Sequence, residues 1–498
     1  MLKDYIEQIN AGVEIRQNLI KIKEELKNEK NCYAFLYALE DDQAFFKDML
    51  TQEDAKARKN AALIMGEIGK QEYLPELFEA FQNEQKQFVK ASYLTAISRL
   101  DYRSVLEPLR EELTRLRTTQ VTEENRKHVS EQIKILNEMV IAIDGIDVHT
   151  FKGEKEKSRI ILLTNRNYKE VTVEKLKDSG IPEEKIKVFN AGIMAEVQDL
   201  TSILKIRTYK ELLFLLPDCR TCEKDPVAAA QALAKSSLYE FLKHRHQGSD
   251  KYYFRIEYKS KDTLDKKSAF TKKMAAQLER DTNGKMLNST SNYEIEIRLV
   301  ENKAGQLNVM LKLYTLRDTR FEYRYESVAA SIAPVNAALF MELVKEYRKE
   351  EAKVLDPFCG VGTMLVERYR ARKTNTMYGI DTYGEAIEKA KRNTERANLI
   401  IHYINKDFFD FEHEYLFNEI VSNLPRVTRK SGENDIRELY KRFFAKAGKH
   451  LTSDGIMILH TYEKEMLEQY SKGYFKIEAK FEISKVEKSY LYVLTQIQ

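Results

Sequence analysis

Between Val354 and Thr363 the chain reads Val354-Leu355-Asp356-Pro357-Phe358-Cys359-Gly360-Val361-Gly362-Thr363, and this stretch restricts the fold more than any other. Val354 and Leu355 end a short apolar run with the character of a buried strand. Two glycines one residue apart then let the backbone turn tightly and approach a ligand. Met364 to Tyr369 continue as a helix. Strand, glycine turn and helix N-terminus in succession bring N–H groups together at the carboxyl end of a parallel sheet, where a ligand binds. Taken alone, such a turn fits a nucleotide site of any kind.

The flanks narrow the choice. Met377-Tyr378-Gly379-Ile380-Asp381 reads as a second strand ending in a carboxylate, which suits the two hydroxyls of a ribose. Ile401 to Phe408 reads as a third strand ending in Asp407 beside the aromatic Phe408, suited to an adenine ring. A fourth apolar strand, Glu419 to Ser422, runs into Asn423-Leu424-Pro425. No phosphate-binding lysine follows the glycines, which argues against a P-loop. Ribose and adenine handles without a phosphate cradle fit S-adenosylmethionine (SAM).

The string Asp356 to Thr363 resembles motif I of class I RNA methyltransferases that carry a THUMP domain and methylate the exocyclic amine of guanine. Asn423-Leu424-Pro425 is similar to their catalytic Asn-Leu-Pro-Tyr or Asn-Pro-Pro-Tyr. The resemblance spans Ser158 to Gln498 and is densest from Ala329 onward. It implies SAM as cofactor, held by Asp356, Phe358, Cys359, Gly360, Gly362, Thr363, Asp381, Asp407, Phe408 and Asn423. It also implies catalysis at Asn423, Leu424 and Pro425, and a structured rRNA or tRNA as partner. The Asn423 side-chain oxygen and the Leu424 carbonyl would accept the hydrogens of the target amine, and Pro425 would fix the turn. One departure stands out: Arg426 and Val427 occupy positions where that family has an aromatic and then glycine. Either another aromatic supplies the stacking platform, or the substrate differs, or activity has decayed. The last case defines the alternative, a catalytically degenerate SAM-binding protein that binds RNA or acts as a scaffold. A protein or small-molecule methyltransferase is a third reading, weakened by the THUMP-like region.

The remaining chain is read in the same way. Residues 1 to about 147 read as helix throughout, with proline only at Pro75 and Pro108. Two segments match at an offset of 32, pairing Arg58 with Lys90, Met65 with Ile97, Ile68 with Leu100, Leu74 with Leu106 and Leu77 with Leu109. The period and the pattern Ala61 to Gly69 resemble a HEAT-like helical pair, of the kind that stacks into a curved scaffold for a protein or RNA partner. A plain helical bundle is the other reading. The flanking segments Tyr33 to Leu50 and Glu123 to Ile143 are helical without a repeat. Phe151 to Lys157 is a charged linker.

Beyond the linker, strands are expected at Arg159–Thr164, Ile186–Phe189, Gly192–Val197 and Leu212–Leu216, with helices at Glu170–Ser179 and from Asp199 onward. This order resembles the ferredoxin-like module that precedes THUMP, with Asn165-Arg166-Asn167 at the family's short turn. Val227 to His244 reads as one amphipathic helix. Strands at Tyr252–Tyr258, Tyr293–Leu299 and Leu307–Leu313 and a helix at Ser268–Arg280 follow the order of a THUMP domain. Lys251 to Lys285 holds ten Lys/Arg against five Asp/Glu, mixed with aromatics. Composition alone makes that a solvated surface; the resemblance makes it a phosphate-contacting face. A helix Val335 to Arg348 leads back to Asp356.

The expected fold class is therefore multidomain α plus α/β. Residues 1–150 form HEAT-like helical repeats, 158–217 a ferredoxin-like module and 218–326 a THUMP-like RNA-binding domain. Residues 327–498 form a Rossmann-like methyltransferase domain. The Cys219-Arg220-Thr221-Cys222 pair has no second pair at zinc-finger spacing and reads as two loop cysteines, so no metal is expected. A net charge of +4 against 82 basic and 78 acidic residues does not by itself call for nucleic acid. The absence of an N-terminal apolar core, of a long apolar run and of a cysteine pattern leads to the expectation of a cytoplasmic protein without a membrane partner.

Overall fold

The chain crosses three times between two units. The computed structural model describes residues 2–39, 42–118, 126–144, 149–429 and 431–497. Met1–Phe151 and Asp218–Thr315 make up one unit, Lys152–Pro217 and Leu316–Gln498 the other.

In the first unit the offset of 32 is structural. Helix Ala55–Ile68, the 3-10 turn Gln71–Tyr73 and helix Leu74–Asn83 are repeated as Gln87–Ile97, Arg103–Val105 and Leu106–Thr118. Ile64, Met65, Leu77, Leu94, Ile97 and Leu109 are buried between these helices. Gly66 lets them close to backbone contact, because a Cβ there would lie 2.7 Å from Ala96 Cα. The Tyr33–Leu50 segment forms helices Glu29–Ala38 and Asp42–Thr51. Of the segment Glu123 to Ile143, residues 123–125 lie outside the described residues and helix Arg126–Asp144 covers the rest.

The same unit holds a sheet in the order Met286–Asn288, Tyr252–Lys259, Ile295–Glu301, Leu307–Leu313, with Thr221–Cys222 paired to the last. Helix Leu264–Asp281 connects the first parallel pair. The single helix expected over Val227–His244 is two, Pro226–Lys235 and Leu238–Arg245. Asp218 breaks it by accepting hydrogen bonds from the backbone N–H and hydroxyl of Ser237, at 2.8 and 2.7 Å. Cys219 and Cys222 are buried, and burial pushes both thiols up, Cys222 to about 12, so neither is a ready thiolate.

In the second unit, strands Ile186–Phe189, Gly192–Val197, Ser158–Thr164 and Tyr209–Leu215 pair antiparallel in that order, beside helix Lys169–Asp178. The helix expected from Asp199 is only the 3-10 turn Ile203–Lys205. Asp199 caps Thr201 N at 2.6 Å, and the chain must re-enter the sheet at Tyr209, which leaves room for one turn. The Asn165-Arg166-Asn167 turn clamps a distant strand: Asn165 Nδ2 donates to Ile483 O at 3.1 Å and Asn167 Nδ2 to Glu482 O at 2.9 Å.

The rest of this unit is a seven-stranded sheet, whose strands are numbered here along the chain. They are β1 (Lys353–Asp356), β2 (Thr376–Asp381), β3 (His402–Asn405), β4 (Phe417–Asn423), β5 (Leu451–Thr461), β6 (Phe475–Ser484) and β7 (Ser489–Gln496). Their spatial order is 3-2-1-4-5-7-6. β1 to β5 run parallel, and β7 is antiparallel to both neighbours. The helices are α1 (Pro334–Leu343), α2 (Thr363–Ala371), α3 (Gly384–Arg396), α4 (Glu433–Ala447) and α5 (Lys464–Ser471). α1 stops short of the expected Arg348, because its last turn tightens into three-residue bonds such as Lys345 N to Glu342 O.

Alternation along the strands builds two cores. Val354, Val421, Ile458 and Val493 pack on one face with Phe340 of α1 and Leu365 of α2. Leu355, Ile420, Leu459 and Leu494 pack on the other with Phe443 and Phe444 of α4. Residues one apart point to opposite faces, so a sheet covered on both sides needs apolar pairs, which is how each strand reads.

Candidate active site

The carboxyl ends of β1, β2 and β4 open into one cleft of about 510 Å³, within the range of small-molecule sites. Asp356, Phe358, Cys359, Gly360, Thr363, Asp381, Asp407, Phe408, Asn423, Leu424 and Pro425 all line it. Gly362 does not. It sits behind the wall with φ +80°, where a Cβ would come within 2.1 Å of the Tyr403 hydroxyl. Its smallness serves packing: Tyr403 reaches beneath the turn to Thr394 Oγ1 at 2.8 Å.

Asp356 ends β1 almost without exposure. Its Oδ1 accepts from Ser422 Oγ at 2.6 Å and Phe358 N at 3.1 Å, while Oδ2 has no partner among the described residues. Burial, with a smaller push from the charge of Asp381, raises this carboxyl to about 7. An orphaned buried acceptor on a cleft wall calls for a donor or cation from a ligand. Asp381 ends β2 and shapes the turn, accepting from Gly360 N at 2.8 Å and Tyr383 N at 2.9 Å. Asp407 caps the single turn Phe408–Asp410 through Phe409 N at 2.9 Å. Phe358 and Phe408 pack edge to face at 6.2 Å, forming an aromatic wall. A carboxylate with an unused oxygen, a second carboxylate at the glycine turn and two aromatic rings fit the ammonium, ribose and adenine of SAM.

Asn423 ends β4 opposite His460 of β5. Its Oδ1 lies 2.6 Å from His460 Nδ1. Burial first, and the charge of Arg426 second, drive His460 down to about 3, so the ring is neutral and its Nδ1–H donates to Asn423. Phe340 stacks on His460 at 4.7 Å and fixes the ring. The Asn423 oxygen keeps one further lone pair. Tyr440 OH donates to Pro425 O at 3.1 Å and also contacts Thr461 Oγ1 at 2.7 Å, tying the Asn-Leu-Pro turn to the end of β5.

The wall residues that escaped the sequence reading include His460 and Tyr462. Val328, Ala329 and Ser331 close one side, and Arg426, His460 and Tyr462 another. His460 and Tyr462 carry no local motif; only the β4–β5 pairing brings them to Asn423. Among the described residues no group of three or more His, Cys, Asp or Glu could hold a metal ion.

This strand order, with a glycine turn after β1, a carboxylate after β2 and Asn-Leu-Pro after β4, defines a class I methyltransferase domain that takes SAM as its cofactor. Residues 322–491 match the family model UPF0020, described as an RMKL-like methyltransferase domain. TrmN from Thermus thermophilus shares the fold at a TM-score of 0.53 and 18% identity, over 68% of this chain and 99% of that one. A structure described as a predicted N6-adenine-specific DNA methylase from Listeria monocytogenes gives 0.52 and 17%, over 68% and 96%. The likeness thus extends well beyond the family-matched residues. In sequence, 87 residues are 34% identical to the type I restriction enzyme MjaVII methylase subunit of Methanocaldococcus jannaschii, covering 18% of this chain and 14% of that protein. Among the described residues no helix is long and apolar enough to cross a membrane.

Proposed function

We propose that this chain is a SAM-dependent RNA methyltransferase that modifies the exocyclic N2 amine of a guanine in rRNA or tRNA. The observation that carries the reading is the placement of Asn423, Leu424 and Pro425 on the same cleft as Asp356 and Asp381. In this reading residues 1–150 are a HEAT-like scaffold for a protein or RNA partner, 158–217 a ferredoxin-like module, 218–326 a THUMP-like RNA-binding domain and 327–498 the catalytic domain. A cytoplasmic location belongs to the same reading.

When bound, SAM supplies a methyl group already activated by a sulfonium, so the protein has to position and stabilise rather than act as a strong base. The remaining Asn423 lone pair and the Leu424 carbonyl accept the two amine hydrogens and turn the nitrogen toward the methyl carbon. On accepting the methyl group the amine nitrogen would gain positive charge, which these fixed oxygens would stabilise before it loses a proton to water. His460 holds the Asn423 amide in one orientation. A guanine in folded RNA must leave its stack to reach this wall.

Incubating the protein with methyl-labelled SAM and total RNA tests the reading; label in N2-methylguanine supports it. Arg426 on the cleft wall favours a second reading, a SAM-binding protein that binds RNA without methylating it. Cofactor and RNA binding with no label in any RNA would establish that reading, and label in another base would relocate the substrate.

A further inference from the structure

Beside the Asn-Leu-Pro turn the cleft wall carries a pair of flat groups. Arg426, the residue after Pro425, places its guanidinium 4.6 Å from the ring centroid of Tyr462, the residue after β5. Both line the cleft. Their loops are fixed to each other: Val427 N donates to Glu463 Oε1 at 2.9 Å, and Glu463 N to Thr461 Oγ1 at 2.8 Å. Tyr462 also meets His460 edge-on at 5.1 Å, and His460 holds Asn423. The pair is therefore held in register with the catalytic turn.

We infer that Tyr462 and Arg426 together form the platform on which the flipped target base stacks while its amine meets Asn423. The inference rests on the RNA methyltransferase reading above. A base leaving its duplex loses stacking on both faces and needs flat surfaces in return. The Tyr462 ring offers one, and the guanidinium is planar, weakly hydrated and able to stack as well. Facing the π cloud of Tyr462 also offsets the guanidinium charge near a cationic methyl donor. The ligand class is a single unstacked nucleobase within an RNA strand. A lysine would keep the charge of Arg426 but not its plane, so planarity and phosphate gripping can be separated.

The chain contains no tryptophan, so Tyr462→Trp places a lone indole in the site. Total tRNA and rRNA, added with S-adenosylhomocysteine, should quench its fluorescence. RNA that binds by filter assay without quenching the indole overturns the platform. RNA that fails to bind at all overturns the RNA reading and the platform with it. In steady state, Tyr462→Ala should lower kcat/KM for RNA about tenfold to a hundredfold with SAM affinity unchanged, and Tyr462→Phe should recover most of the loss. Arg426→Lys should behave like a partial loss. Full retention of transfer in Arg426→Lys, or loss of SAM affinity in Tyr462→Ala, assigns these residues to a phosphate or to the cofactor and refutes the proposal.

Discussion

Among the described residues, Asp356 is held in place by two donors on one oxygen and by none on the other. Its carboxyl, raised to about 7 by burial, keeps its proton in the folded protein across pH values at which the unfolded chain releases it. The stability of the ligand-free protein should therefore fall as pH rises from about 4 to about 7 and level off above. A cationic ligand beside the free oxygen reverses the preference. SAM affinity should rise about tenfold per pH unit up to about 7 and then flatten. Calorimetric titration between pH 5.5 and 8.5, chosen as roughly bracketing that value, would show this slope, and Asp356→Asn should abolish it. Asn423 carries the complementary expectation. Asn423→Ala should leave SAM affinity nearly intact and cut methyl transfer about a hundredfold, the scale of losing one preorganised polar group. A fall in both would place Asn423 mainly at the cofactor.

At the scale of elements, β4 and α2 are joined by a buried ion pair. Arg368 and Glu419 have side chains with no exposure and meet at 2.6 and 2.8 Å. Arg368 also donates to Arg372 O and Lys349 O, and Lys349 N donates to Glu419. With every guanidinium nitrogen bonded, the pair is a fixed crosslink beneath the site. Arg368→Ala leaves a buried carboxylate and should cost about 3–5 kcal/mol in urea denaturation. A combined Arg368→Met and Glu419→Leu change removes both charges and should cost much less. Equal losses in the two would show that packing, not the uncompensated charge, dominates. The same helix carries Glu367, which accepts from Arg207 at 3.0 and 2.7 Å and from Tyr323 OH at 2.6 Å.

At the scale of the whole molecule, every residue lining the cleft comes from the second unit. A chain beginning at Lys152 should therefore bind SAM within about twofold of the full-length protein, a difference under about 0.5 kcal/mol. It should also weaken the 218–315 segment. There Glu294, buried, accepts from the backbone N–H of His149 at 2.7 Å and from its ring at 2.8 Å. The other ring nitrogen lies 2.7 Å from Ser249 O, so the ring is tied at both nitrogens. Removing His149 strands the Glu294 carboxylate. Hydrogen exchange should show faster opening around Ile295–Glu301 with calorimetric SAM binding preserved. Lost SAM binding would show that the helical segment is integral to the catalytic fold.

The sequence by itself determined the parts built from neighbouring residues. Apolar runs ending in turn chemistry placed β1 to β4, the two-helix repeat and most strands of the middle region, since a strand, a glycine turn and a helix start are local events. Tertiary structure decided what depends on distant segments meeting. β5, β6 and β7 were not foreseen, because β6 in particular alternates charged and apolar residues at an edge and carries no motif. Asp218 broke a helix that looked continuous, and Tyr403, not a ligand, explains Gly362. His460 and Tyr462 joined the site only through the register of β5 against β4. Local chemistry fixes which side chains are available; the pairing of strands far apart in sequence fixes which of them share a wall.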